Sequence, residues 1–149
     1  MTDTSTNVIP ALVLSHTYDA PVERVFAAWT DPQIAAKFMG PGNVKATNVK
    51  IDPRVGGKYS ITMVFEDGET MHVGGVYREV QPPHRLAMTW RWEEDDPADA
   101  YDTLLTLEFF ERGQKTELVL THDQFHKIES RDNHGKGWSA ILEQLNGAL

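Results

Sequence analysis

Apolar residues recur along this chain with two different periods, and the changes of period divide it into elements. The longest helical pattern comes last: in residues 131–149, His134, Trp138, Ile141, Leu145 and Leu149 are spaced four, three, four and four apart. With Leu142 they fall on one stripe of a 3.6-period helix, while Lys136, Ser139, Glu143 and Asn146 occupy the opposite face. At about 1.5–3 kcal/mol gross per large apolar side chain, that stripe needs a sheet to cover it. Ser130 or Asp132 is expected to cap the start and Gly147 to close the end. Gly135 and Gly137 interrupt the pattern, each costing about 1 kcal/mol relative to alanine. Either something passes close to the backbone there or the first turn frays.

Residues 11–18 alternate as a strand, with Leu12, Leu14, His16 and Tyr18 against Val13, Ser15 and Thr17, and both faces are expected to be partly covered. Asp19-Ala20-Pro21 ends it and starts a helix with Val22, Val25, Phe26 and Trp29 on one stripe; Asp31-Pro32 starts a second, short helix through Phe38. From Val44 the period becomes two and stays so, in segments 44–52, 58–65, 70–80, 85–93, 101–111 and 115–122. Asp67-Gly68 and Arg112-Gly113-Gln114 mark two of the hairpins. The reading is an α+β chain in the order strand, two helices, six strands, long helix, with the seven strands in one strongly curved antiparallel sheet. Leu86, Met88, Trp90 and Trp92, then Leu105, Leu107 and Phe109, then Leu118, Leu120 and His122 form its concave face, with the last helix as lid.

A length of 149 residues suits a single domain, residues 1–149 with 1–10 loose, that buries about 68–70% of its unfolded surface and still has room for a cavity. The formal charge of −8 opposes nucleic-acid or anionic-membrane binding by bulk electrostatics. The chain has no cysteine, which removes disulfides, thiolate zinc sites and cysteine nucleophiles and suggests a cytoplasmic setting. No apolar run approaches the ~20 residues of a membrane span, and the first nine residues lack the pattern of a leader.

Phe38, Tyr59, Met63, Phe65, Tyr77, Met88, Trp90, Trp92 and Trp138 are candidates to line a ligand cavity, joined by Ile141 and Leu142 of the last helix, with His122 and His134 as directional hydrogen-bonding groups in the same lining; the plainer account of each apolar residue is core. Tryptophan N–H and tyrosine O–H groups need partners when buried, so four tryptophans point to a partly polar interior. Of six histidines, His122, His126 and His134 are the closest in sequence, but the strand pattern puts His122 at a strand end, off any helix face shared with His126. No metal site follows. His134 fits a hydrogen-bonded residue at a cavity mouth better than a catalyst. Asp95, Asp96, Asp99 and Asp102 lack the glycine and closing glutamate of a calcium loop and read as a solvated acidic segment. No nucleophile elbow, phosphate loop or dinucleotide fingerprint occurs, and no cofactor is implied.

The ordered segments DAPVERVFAAWTDP, RVGGKYSITM, GGVYREVQPPHRLAMTWRW, KTELVLTH and HGKGWSAILEQL, spanning residues 12–145, resemble the activator of heat-shock protein 90 ATPase homologue family. That family lies within the START-like (SRPBCC) superfamily. One departure is Phe38, where the family commonly carries tryptophan. The resemblance implies a helix-grip fold, a seven-stranded sheet round the C-terminal helix with a cavity for hydrophobic ligands, and an association with stress response. Fold alone does not choose among carriers, receptors, cyclases and cochaperones. The expectation taken forward is a non-enzymatic module for a small apolar molecule, monomeric or weakly dimeric. Its competitors are a cyclase- or hydratase-type enzyme using His122 or His134, and a partner of a chaperone.

Overall fold

The expected elements all form, with ends shifted by a few residues. A computed structural model describes residues 9–94 and 101–149. Its elements are β1 (Leu12–Tyr18), α1 (Val22–Thr30), α2 (Pro32–Phe38), β2 (Lys45–Ile51), β3 (Lys58–Val64), β4 (Thr70–Gln81), β5 (Arg85–Trp92), β6 (Thr103–Arg112), β7 (Lys115–Asp123) and α3 (Ile128–Gln144), the last running into a 3₁₀ turn, Leu145–Ala148. The expected acidic segment at Asp95, Asp96 and Asp99 lies outside the described residues. Asp102 is described, and accepts a hydrogen bond from Arg91 Nε at 3.0 Å.

The strands form one sheet in the order β1-β7-β6-β5-β4-β3-β2, and every neighbouring pair is antiparallel. Only β1 leaves chain order: it pairs with β7, so α1 and α2 carry the chain to the far edge, from which β2 to β7 meander back. Asp31 caps α2 through its side chain, accepting from Gln33 N at 2.9 Å, and Pro32 takes the first turn, where its missing N–H costs nothing. Irregularities between Thr47 and Lys50 and between Tyr77 and Glu79 break the ladders and bend the sheet. The bend gives this helix-grip arrangement its concave face. Trp138, Ile141, Leu142 and Leu145 of the last helix join one core with Ile61, Met63, Leu86, Met88, Trp90, Leu105, Leu107, Phe109, Leu118 and Leu120.

Some sequence expectations change. The α3 helix begins at Ile128, three residues early, with Lys127 at the cap position and no side-chain cap, so neither Ser130 nor Asp132 serves there. Ile128 is 51% exposed and outside the apolar stripe, so periodicity gave no sign of this first turn. Gly147 is not left-handed; the helix tightens into its 3₁₀ turn instead. The outer face of β1 is open, with Val13 59% exposed, and no described element covers the convex side of this edge strand. No helix among the described residues is long and apolar enough to cross a membrane.

Candidate functional site

A cleft of about 530 Å³ opens between α3 and the end of the sheet formed by β3, β4 and β5. On the helix, Ser130, Asn133, His134, Gly137, Trp138 and Ile141 follow one another at helical spacing and form one wall. Met63 and Phe65 come from β3 and the residue after it, Met71 from β4, and Trp90 and Trp92 from β5. Pro41 and Val44, in the loop between α2 and β2, close one side. The walls are aromatic rings, thioethers and aliphatic carbon, in a volume suited to a small organic molecule.

The expected cavity residues divide into three groups. Met63, Phe65, Trp90, Trp92, His134, Trp138 and Ile141 line the cleft. Tyr59, Tyr77 and Met88 lie deeper, around a void of about 20 Å³ that Trp29, Met39 and Leu105 also border. That volume holds at most a water molecule. Phe38, His122 and Leu142 are in neither: Phe38 is fully buried edge-on to Trp29 at 5.1 Å, and the Leu142 carbonyl accepts from the Tyr18 hydroxyl. Tyr59 donates its hydroxyl proton to the Thr89 carbonyl, and burial holds the Tyr59 and Tyr77 hydroxyls above their usual range. Sequence reasoning missed Pro41, Val44, Met71, Ser130, Asn133 and Gly137 as wall residues. Met71 shares a face of β4 with Val73 and Tyr77, and Gly137 interrupts the helical pattern, so both leave a signal in the sequence.

Hydrogen bonding fixes the state of both interior histidines. Trp138 Nε1 donates to His122 Nδ1 at 3.0 Å, so the His122 proton sits on Nε2 and points at Thr103 Oγ1, 2.7 Å away. The Thr103 hydroxyl donates onward to the Trp90 carbonyl at 2.9 Å. Burial, reinforced by nearby His134, pushes the His122 pKa down to about 2. His134 is arranged the other way round: its Nδ1–H donates to the Ser130 carbonyl at 2.7 Å and its Nε2 accepts from Trp92 Nε1 at 3.0 Å. This second bond ties β5 to α3 at the rim of the cleft. The indole N–H groups of Trp29 and Trp90 are buried without a partner among the described residues, contrary to the expectation for such donors.

The loop that supplies Pro41 is held from a distance. Gln144 Nε2 donates to the carbonyls of Phe38 (3.1 Å) and Gly40 (2.8 Å), and its Oε1 accepts from Gly42 N at 2.8 Å. Gly42 has φ +63°, and a Cβ on Gly40 would stand 2.1 Å from the Val44 carbonyl oxygen, so both glycines are required by the path of the loop. On the surface, His72, Glu93 and Glu94 place three potential metal-ligand atoms within 4.8 Å of one another. His72 Nδ1 and Glu94 Oε2 are hydrogen-bonded 2.7 Å apart, and that bond raises the His72 pKa.

Comparison with known proteins agrees with this architecture. A protein from Chromobacterium violaceum has a solved structure with a TM-score of 0.84 and 28% identity, covering 92% of this chain and 94% of that one. The AHSA1 protein of Silicibacter pomeroyi follows at TM-score 0.81 and 24% identity, covering 93% and 96%. A protein from Mycobacterium smegmatis has TM-score 0.80 and 23% identity, covering 99% and 93%. These last two likenesses speak to the fold alone. No curated protein matches the chain. The family model described as activator of Hsp90 ATPase homolog 1-like protein matches residues 19–149, and the chain belongs to that family.

Proposed function

We propose that the protein binds a small, largely apolar molecule, neutral or weakly acidic, in the cleft between α3 and strands β3 to β5, and performs no chemistry on it. The observation that carries this reading is the cleft itself, about 530 Å³ walled by Met63, Phe65, Met71, Trp90, Trp92 and Trp138. The cleft is open to solvent, and a contiguous apolar surface left exposed on a folded chain marks a place that an apolar partner covers. Aromatic and thioether walls adapt to shape, which favours modest specificity.

The acid–base alternative has less support. Both ring nitrogens of His122 and of His134 are engaged, and His122 stays neutral far below physiological pH. Moving a proton through either ring first requires breaking a bond to a tryptophan. The family description favours a second reading, stimulation of a chaperone ATPase.

The test is titration with an environment-sensitive apolar dye, read by dye emission and by quenching of tryptophan. Val44→Trp and Met71→Trp place bulk in the cleft from half-buried positions and are expected to weaken binding about tenfold or more. Glu94→Gln, at the exposed hydrogen bond with His72, leaves it unchanged. Equal affinity in all variants contradicts the reading, and a dye-silent protein that accelerates a chaperone ATPase establishes the other.

A further inference from the structure

The two glycines that interrupt α3 have different causes. A Cβ on Gly135 would stand 3.2 Å from Cδ1 of Leu12 and 3.7 Å from its Cδ2, so the β1 side chain packs close on the helix backbone there and would have to give by a few tenths of an ångström to admit one. Gly137 has no such neighbour. An added Cβ would meet nothing nearer than Cγ of Pro41 at 3.9 Å, an ordinary contact, and its φ is not in the left-handed region. Alanine fits the fold at this position and is the better helix former. The glycine therefore weakens the helix for no reason of packing, and the space it leaves belongs to the cleft, whose wall it forms.

The opposite side of that space does not yield. Pro41 belongs to the loop gripped by Gln144, and Gly40 and Gly42 hold the loop in one path. Building on the binding reading above, we infer that Gly137 is a specificity-determining residue. It deepens the cleft to the backbone of α3 so that a ring-bearing apolar molecule, thicker than a single alkyl chain, lies between the helix and the rings of Phe65, Trp90 and Trp92. A straight chain has no use for this depth. A fused or branched ring system does, and the aromatic walls match its faces.

The experiment compares two probes, a naphthalene-based dye and decanol, by calorimetry on the wild type, Gly137→Ala, Gly137→Leu and the outward-facing control Ser139→Ala. Gly137→Ala is expected to hold or raise the melting temperature while weakening the naphthalene probe by about threefold to tenfold, and Gly137→Leu by about a hundredfold. Decanol affinity changes by less than about threefold in the alanine variant. Unchanged naphthalene affinity in both Gly137 variants, equal losses for both probes, or a lowered melting temperature in Gly137→Ala overturns the inference while leaving the binding reading in place. If neither probe binds the wild type, the binding reading fails and the inference falls with it.

Discussion

His122 shows how one buried polar side chain is made tolerable. It accepts from Trp138 and donates to Thr103, which donates to the Trp90 carbonyl, so four elements, β5, β6, β7 and α3, meet through one relay. The relay needs a neutral ring. Between pH 6.5 and about 2 the unfolded chain binds a proton at this position and the folded chain does not, so stability falls as pH drops through 6.5. From pH 7 to 5 this one group removes about 2 kcal/mol. His122→Gln is expected to flatten the profile from chemical denaturation by that amount, and an equally steep profile would contradict a neutral His122. Trp138→Phe keeps the ring packing but orphans His122 Nδ1, a loss expected at about 1–3 kcal/mol in the same measurement. Sequence pattern identified both residues as inward-facing. It did not identify their bond, because alternation reports which side of a strand a residue faces and not what it meets there.

At the scale of elements, α3 serves as core and as cleft wall together. Its later turns bury Trp138, Ile141 and Leu142, the first two also bordering the cleft, while its earlier turns face the cleft through Asn133, His134 and Gly137. The stripe was legible because the apolar spacing follows the helical period. The beginning was not, since Ile128 is exposed and Lys127 supplies no cap. Nor was the role of Gln144, whose partners Phe38 and Gly42 lie 106 and 102 residues away in sequence. Gln144→Ala releases the loop and is expected to cost about 1–3 kcal/mol. Hydrogen exchange at the Gly42 amide should quicken more than at the helix core, and unchanged protection there would show that the loop holds itself.

For the whole molecule, the order of elements was readable because each has a distinct period and clear punctuation. The pairing of β1 with β7 carries no local signal, and alternation along each strand does not specify it. The site was half legible. Inward-facing residues were found on β3, β4, β5 and α3, but the pattern could not tell Met63 and Trp92, at the cleft, from Tyr77 and Met88, around the smaller void. That division depends on where the helix stops covering the sheet. The uncovered part is the proposed ligand site. Its most direct measurement is amide and indole ¹H–¹⁵N NMR of the labelled protein during titration with the naphthalene probe. Saturable shifts are expected at Val44, Phe65, Met71, Gly137 and the Trp92 indole N–H, with Lys50, Lys58 and Gly74, which line a separate outer groove across β2 to β5, unmoved. Shifts confined to that outer groove, or none at saturating probe, would contradict it.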